Sequence, residues 1–388
     1  MDPVSIFPAL AALFLAVTTA YFLTRRNGNP PALGRFASID GLRGYLAFFV
    51  FMHHSCIWFY FLKMGQWQVP PSNVYTNFGQ SSVSLFFMIT GFLFYSKLID
   101  GRAKRINWRA LYVSRVFRLA PLYVFVVALM FAVVAILSGG RMVGSVPALF
   151  LQLVRWLSFA ILGQPDINGI GHTFTIVAGV TWSLAYEWFF YLSLPILALS
   201  VSLKPPGVYL ALGAVALVAL SLWHTNYLIL ATFAGGILAA WLVRMDRFRV
   251  FAEKNFASFI VVGCLFTVVV FSGESYGIRP LLLLTTAFVL IAGGNTLFGL
   301  LVHPVSKTLG EMAYSIYLLH GMLLFVTFNF VIGLNKATAF SPLMHWLAVL
   351  AITPVLILAS YATFLLIEKP GMRYSRVVND WLQERGLG

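Results

Sequence analysis

The stretch from Ile39 to His54, IDGLRGYLAFFVFMHH, holds an arginine and a histidine within one long apolar segment. Arg43 and His54 are eleven residues apart, which at ~100° per residue brings both side chains onto one face of a helix, about 16 Å apart along its axis. Ionisable groups inside a membrane span cost roughly 2.5–3.5 kcal/mol each, and they usually mark a functional path. We therefore predict that an elongated, anionic substrate extends along this helix.

The composition indicates a polytopic, all-α membrane protein with little soluble mass. Of the 388 residues, 60% are hydrophobic and only 10% are charged, whereas soluble domains carry about 25% charged residues. The net charge of +14 resides in short loops between apolar segments, which is typical of cytoplasmic loops and does not indicate nucleic-acid binding. Cys56 and Cys264 each lie within an apolar segment and are interpreted as packing residues.

Eleven apolar segments predict about eleven transmembrane helices. No basic residue precedes the first of them, so we expect a retained span rather than a signal peptide. The stretch 148–162 is shorter and contains Gln152 and Arg155, which predicts an amphipathic or re-entrant element on the outer side. The predicted spans are 6–23, 45–62, 79–96, 118–137, 182–203, 208–223, 226–243, 256–272, 281–300, 312–333 and 343–367.

The distribution of basic residues predicts the orientation of these spans. The loops 97–117 and 244–255 and the C-terminal tail are strongly basic, whereas the alternate loops 63–78, 138–147 and 334–342 carry one basic residue each. Because positive charges are retained on the cytoplasmic side, the N-terminus is expected outside and the C-terminus in the cytoplasm.

His53, His54, Glu187 and His320 lie within predicted spans and are the candidates considered for function. His54 shares a face with Arg43 and is the candidate for chemistry, whereas His53 is rotated by ~80° and is interpreted as structural. The adjacent histidines have no accompanying carboxylate cluster, so no metal site is predicted. Glu187 is interpreted either as an ion-pair partner for a cation or as an acid that orients a histidine or binds an acceptor hydroxyl. His320 is interpreted as a second polar contact or as structural.

Two arginines lie one helical turn apart at the start of the fourth span. Arg115 and Arg118 project to the same side of the helix; they serve either topology or bidentate phosphate binding. The aromatic residues Trp182 and Tyr186 suit either an interfacial belt or a platform for sugar rings.

Six motifs, in this order along the chain, resemble those of the acyltransferase family 3 membrane proteins, which O-acylate extracytoplasmic carbohydrates and related acceptors. The resemblance runs from about Phe36 to Pro370. Family members usually have an aspartate where this chain has Ser84 and a serine where it has Thr90, so an acid–base role at position 84 is not carried over. The motifs are IDGLRGYLAFFVFMHH (39–54), LFFMITGF (85–92), RVFRLAPLY (115–123), WSLAYE (182–187), YSIYLLH (314–320) and IEKP (367–370).

The resemblance implies a ten-helix acyltransferase domain at 36–370. Residues 1–35 would then be an added transmembrane anchor with a basic cytoplasmic linker, and 371–388 a short cytoplasmic tail. The implied donor is cytoplasmic acyl-CoA, most often acetyl-CoA, and the implied acceptor is a hydroxyl of a carbohydrate or lipid-linked glycan. The expected surroundings are membrane lipids, in the bacterial inner membrane. The implied catalytic residues are His54 and Glu187, the donor-binding residues Arg43, Arg115, Arg118 and His320, and the acceptor-binding residues Asp40, Trp182 and Tyr186.

The alternative from another functional class is a proton-coupled transporter of anions or lipid intermediates. Intramembrane histidines, arginines and a glutamate also suit such a carrier. The sequence shows neither an inverted repeat nor paired broken spans, which favours the enzyme. The acceptor, the acyl-chain length, the oligomeric state, and the choice between direct transfer and an acyl-histidine intermediate stay open at this level.

Overall fold

The computed structural model describes residues 2–27, 36–103, 106–222 and 226–385. The described residues are 78% helical, and they form one isolated bridge and no strand. Short 3-10 turns occur at Thr173–Val177 and Leu300–Val302, and π-helical turns at Thr327–Val331 and Phe364–Glu368. The α-helices are α1 (Phe7–Asn27), α2 (Ala37–Met64), α3 (Asn73–Asp100), α4 (Trp108–Leu137), α5 (Val146–Leu157), α6 (Trp182–Leu199), α7 (Gly207–Leu222), α8 (Tyr227–Leu242), α9 (Asp246–Ala252), α10 (Asn255–Phe271), α11 (Ile278–Ala292), α12 (Pro304–Glu311), α13 (Ala313–Val326), α14 (Leu334–Thr338), α15 (Pro342–Thr363) and α16 (Lys369–Glu384).

The helices confirm the predicted all-α polytopic membrane protein. Within the described chain, seven helical segments are long and apolar enough to cross a membrane, and α8 with α9, bent by 110°, adds an eighth if the pair is one span. Each of the eleven apolar segments predicted from sequence falls on a helix, but α7, α10 and α11 are shorter than a typical span. The count of eleven and the orientation stay predictions. The basic residues Lys104 and Arg105, and most of the linker before Phe36, lie outside the described residues.

The stretch 148–162 contains α5, which has only 12 residues and is too short to cross a bilayer. Trp156 is its one buried residue, and the indole donates a hydrogen bond to the Pro165 carbonyl at 2.8 Å. The Tyr123 hydroxyl donates to the Trp156 carbonyl at 2.6 Å, which ties α5 to α4. The short helix agrees with the predicted amphipathic or re-entrant element, and its side of the membrane stays a prediction.

Polar residues in the loops define where the long helices begin and end. The side chains of Ser72, Asn107 and Ser341 accept hydrogen bonds from backbone N–H groups in the first turns of α3, α4 and α15. Gly65 ends α2 in the left-handed conformation, with φ of 71°. The loops therefore fix the lengths of the helices that carry the candidate site.

Helix α3 occupies the centre of the bundle and packs along both α2 and α8. A Cβ atom at Gly236 of α8 would overlap the Met88 carbonyl oxygen of α3, and one at Gly91 would overlap the Phe233 carbonyl oxygen. Glycine permits this close approach of two helix backbones, as small residues do in membrane bundles. Helix α2 also packs against α12 and α13. The position of α3 is therefore fixed from two sides.

Candidate active site

Two cavities lie between α2, α3, α6 and α13. We call the first the arginine cavity; it has a volume of about 840 Å³ and includes Arg43, Arg115, Arg118 and Glu187 in its lining. We call the second the histidine cavity; it has a volume of about 950 Å³ and includes His54.

The arginine cavity holds an excess of positive charge. Helix α2 contributes Arg43 and helix α4 contributes Arg115 and Arg118. In the described part of the chain, none of the three arginines has a carboxylate within 4 Å. The Arg115 Nε atom is buried and has no hydrogen-bond partner among these residues, and its guanidinium lies 5.0 Å from the ring centroid of Phe94. These cations are available to an anionic ligand.

Glu187 lies on the wall of the arginine cavity, opposite in charge to the three guanidinium groups. The Thr90 hydroxyl donates to its Oε1 atom at 3.3 Å, and the Tyr191 hydroxyl donates to its Oε2 atom at 2.9 Å. No hydrogen bond joins Glu187 to a histidine in the described structure. The expected role of orienting His54 therefore has no direct contact to support it.

The histidine cavity differs from the arginine cavity because no charged side chain lines it in the described structure. Its polar groups are amides, hydroxyls and imidazoles, and several aromatic rings face it. Burial raises the pKa of the Tyr276 phenol well above its usual range, so this hydroxyl stays neutral and protonated near neutral pH. The polar and aromatic lining residues are His53, His54, Trp67, Gln68, Gln80, Gln164, Phe174, Trp182, Tyr276 and Tyr317.

His54 and His320 form a hydrogen-bonded pair. The Nδ1 atom of His54 lies 3.0 Å from the Val50 carbonyl oxygen and 3.1 Å from Nε2 of His320. The Nδ1 atom of His320 lies 3.1 Å from the Ile316 carbonyl oxygen. A carbonyl accepts only an N–H, so this network assigns the proton to Nδ1 in both neutral rings. The single Nδ1–H of His54 is then shared between the Val50 carbonyl oxygen and Nε2 of His320, and Nε2 of His54 keeps its lone pair without a hydrogen-bond partner in the described chain.

His53 takes part in a separate contact. Its Nδ1 atom lies 2.7 Å from the Tyr75 carbonyl oxygen at the start of α3, and its ring packs directly against Gly79. A side chain at Gly79 would overlap this imidazole. This contact fixes α2 against α3 one residue before His54.

The sequence matches one of the known protein families. The acyltransferase-domain model of acyltransferase family 3 matches residues 36–365. The chain belongs to this family. No curated protein and no solved structure matches the chain. The family 3 match makes the protein a multi-pass membrane acyltransferase and favours the enzyme over the carrier.

The structure of this family 3 acyltransferase brings the predicted site residues together in two groups. The three arginines and Glu187 share the arginine cavity, and His54 and Trp182 share the histidine cavity. The remaining predicted residues line neither cavity. Asp40 is exposed at the start of α2, and Tyr186 packs against the rings of Phe87 and Trp182. His320 is fully buried and contacts His54, and its expected place on the donor path stays a prediction.

Several lining residues of this acyltransferase escaped the sequence analysis. Gln80, Gln164 and Tyr276 face the histidine cavity from three different parts of the chain, and Tyr317 lines both cavities. Only Tyr317 lies in a motif that signalled the family. Ser84, where the family usually has aspartate, is buried, and its hydroxyl donates to the Gln80 carbonyl at 2.9 Å. The departure at this position therefore falls outside both cavities.

Proposed function

We propose that this acyltransferase moves an acyl group, in the simplest case acetyl, from acyl-CoA to a hydroxyl of a neutral carbohydrate or lipid-linked glycan in the bacterial inner membrane. The observation that carries the proposal is the unpartnered Nε2 atom of His54 in an uncharged cavity that adjoins an arginine-lined one. The first cavity suits the donor and the second suits the acceptor.

The proposed donor agrees with the chemistry of the arginine cavity. Coenzyme A has an anionic nucleotide head and a long neutral arm that ends in the thiol. Arg43, Arg115 and Arg118 present planar guanidinium groups, which bind phosphate oxygens in bidentate fashion. The phosphates would supply the partner that the buried Nε atom of Arg115 lacks.

The proposed acceptor agrees with the lining of the histidine cavity. Hydroxyl groups of a sugar both donate and accept hydrogen bonds, and the side-chain amides of Gln68, Gln80 and Gln164 offer both. The rings of Trp67 and Trp182 provide apolar faces for a sugar ring. An anionic acceptor would find no countercharge among the described lining residues.

In the proposed reaction His54 acts as the general base. Its Nε2 atom takes the proton of the acceptor hydroxyl while the hydroxyl oxygen attacks the thioester carbonyl carbon. The carbon–sulfur bond then breaks, and the leaving thiolate takes the proton from the imidazolium. His320 accepts from Nδ1 of His54, so it orients the imidazole and stabilises the positive charge that forms. We therefore reassign His320 from donor binding to positioning.

An acyl-histidine intermediate is the alternative route on the same residue. Nε2 of His54 would attack the thioester directly, release the CoA thiol and pass the acyl group to the acceptor. Incubation of the purified protein with acetyl-CoA in the absence of acceptor distinguishes the routes. Rapid acid quenching and peptide mass spectrometry would find an acetyl adduct on the His54 peptide only for this route.

The purified protein in detergent tests the proposed function. Wild-type protein should bind CoA and transfer the acyl group to a neutral sugar acceptor without a sealed vesicle. His54→Ala should lower the transfer rate by about 10²–10⁴-fold, the usual contribution of a general base, and should leave CoA affinity unchanged. Full activity of His54→Ala would remove this residue from the mechanism, and absence of both CoA binding and transfer in the wild type would refute the donor.

A further inference from the structure

Two residues are common to the linings of the arginine cavity and the histidine cavity. Val83 of α3 and Tyr317 of α13 line both cavities, and no other described residue does so. Both side chains are buried, at 6% and 7% exposure. Because the arginines line one cavity and His54 the other, a molecule that contacts both groups has to extend between these two side chains.

The hydroxyl of Tyr317 is held at the boundary. It lies 2.7 Å from the Ser183 hydroxyl and donates to the Val180 carbonyl at 3.1 Å. Ser183 lines the arginine cavity and Val180 lines the histidine cavity. The phenol ring is further packed against Phe86, with 6.0 Å between ring centroids. Tyr317 is therefore a fixed wall of the boundary rather than a freely rotating side chain.

The opposite wall is equally constrained. Val83 is β-branched, which restricts its rotamers within a helix. Its helix, α3, is held against α8 by the backbone contacts at Gly91 and Gly236 and packs along α2 on another side. The backbone of α3 has little room to move away, so a change in the size of the side chain at position 83 changes the space between Val83 and Tyr317.

We propose that Val83 and Tyr317 form an aperture through which the thioester end of the donor reaches His54, and that the side chain at position 83 limits the length of the acyl group transferred. The proposal rests on the proposed function, because it takes acyl-CoA as the donor. It adds a specificity-determining role for two residues that contact neither the phosphates nor the proton in transit.

Two substitutions change the aperture in opposite directions. Val83→Ala removes two methyl groups and should raise transfer of butyryl and hexanoyl groups relative to acetyl by about tenfold or more, the scale on which apolar pockets discriminate single methylene groups. Val83→Trp fills the opening and should abolish transfer of every acyl group. Both variants should still bind CoA, because the arginines remain in place, but Val83→Trp should exclude the end of its arm from the histidine cavity.

The experiment measures transfer rates from acetyl-, butyryl- and hexanoyl-CoA to a neutral sugar acceptor, together with CoA affinity by calorimetry, for purified protein in detergent. Val74→Ala and Val74→Trp are the matched controls, since Val74 is on the same helix and lines neither cavity. These controls should keep the wild-type acyl-chain profile. If Val83→Trp loses CoA binding because it misfolds, the acyl-chain profile of Val83→Ala alone tests the aperture.

An acyl-chain profile of Val83→Ala that parallels the wild type would overturn the aperture, as would acetyl transfer at the wild-type rate by a folded Val83→Trp protein. Failure of the proposed function looks different, because the wild type itself would then show neither CoA binding nor transfer. Tyr317→Phe supplies a second test from the other wall. Loss of its two hydrogen bonds should relax the chain-length limit in the same direction as Val83→Ala, and an unchanged limit would restrict the aperture to Val83.

Discussion

Nε2 of His320 lies 3.1 Å from Nδ1 of His54, although 266 residues separate them along the chain. Helix α13 presents one imidazole and α2 the other, and backbone carbonyls of Val50 and Ile316 hold the two rings in place. The remaining nitrogen of His54 is thereby left as an acceptor. The pair has the geometry of a base and the group that orients it.

The contact between the two histidines predicts the effect of removing His320. His320→Ala should lower kcat by about 10²-fold, the lower end of a general-base contribution, with KM for the acceptor and the affinity for CoA close to wild type. His320→Gln should restore part of the loss, because its amide oxygen accepts a hydrogen bond from Nδ1 of His54. Steady-state transfer kinetics measure kcat and KM, and calorimetry measures CoA affinity, so an effect on catalysis is distinguished from an effect on binding.

His345→Gln is the matched control for a buried histidine. The Nε2 atom of His345 lies 2.8 Å from the Ser55 carbonyl oxygen. His345 lines neither cavity. Its substitution should lower the unfolding temperature without changing kcat. Equal losses of kcat in the His320 and His345 variants would mean that His320 has only a structural role.

The arginine cavity predicts graded losses of donor affinity. Arg43→Gln, Arg115→Gln and Arg118→Gln should each weaken CoA binding by roughly 10- to 100-fold, since a hydrogen bond to a charged group contributes about 1.5–3 kcal/mol. Binding of CoA by the wild type should also weaken as salt is added. Arg373→Gln, on the exposed face of α16, is the control and should keep wild-type affinity. Unchanged affinity in all three cavity variants would leave these arginines a purely topological role.

Removing the charge of Glu187 should strengthen CoA binding, whereas removing an arginine should weaken it. Its carboxylate shares the arginine cavity, so it would repel the phosphates of the proposed donor. Glu187→Gln should tighten CoA binding by on the order of 1 kcal/mol, or about fivefold, while Thr90 and Tyr191 keep a partner for hydrogen bonding. Calorimetry at low salt measures this difference. Weaker binding instead would indicate that the carboxylate holds the arginines in their binding geometry.

The close approach of α3 and α8 predicts a stability effect. Gly236→Ala should lower the free energy of unfolding by about 1–3 kcal/mol, because the added Cβ overlaps the Met88 carbonyl oxygen and forces the helices apart. Gly263→Ala in α10 is the control, since a Cβ there meets no atom within 4 Å. It should be neutral or stabilising, as alanine is the better helix former. Thermal unfolding in detergent compares the two, and equal midpoints would argue against tight packing at Gly236.

The helices and the charged residues were accessible from the sequence. Apolar runs of helical length predict spans because the bilayer requires internally satisfied backbones. The spacing of Arg43 and His54 placed them on one helix, and that of Arg115 and Arg118 on another, as the structure has them. Each of these inferences uses only neighbouring residues, for which helical geometry is enough.

The contacts between distant helices were not accessible in the same way. Hydropathy does not specify which face of α13 meets α2, so the sequence left His320 between a contact on the donor path and a structural role and did not predict its contact with His54. It likewise left Glu187 open between a cation, a histidine and an acceptor hydroxyl, and did not predict the contacts with Thr90 and Tyr191. The boundary at Val83 depends on the depth at which α3 meets α13, and an apolar residue within an apolar helix gives no signal of such a role.

A single uninterrupted helix, α2, carries both Arg43 and His54. Its hydrogen-bonded helical geometry sets the distance between Arg43, the proposed phosphate-binding residue, and His54, the proposed base, so this distance does not adjust to the ligand. In the proposed mechanism, a donor with a shortened arm would be anchored at one end and would not reach the imidazole. Inserting one residue between Arg43 and His54 would rotate the His54 side chain relative to Arg43 by about 100° around the helix axis, away from the histidine cavity.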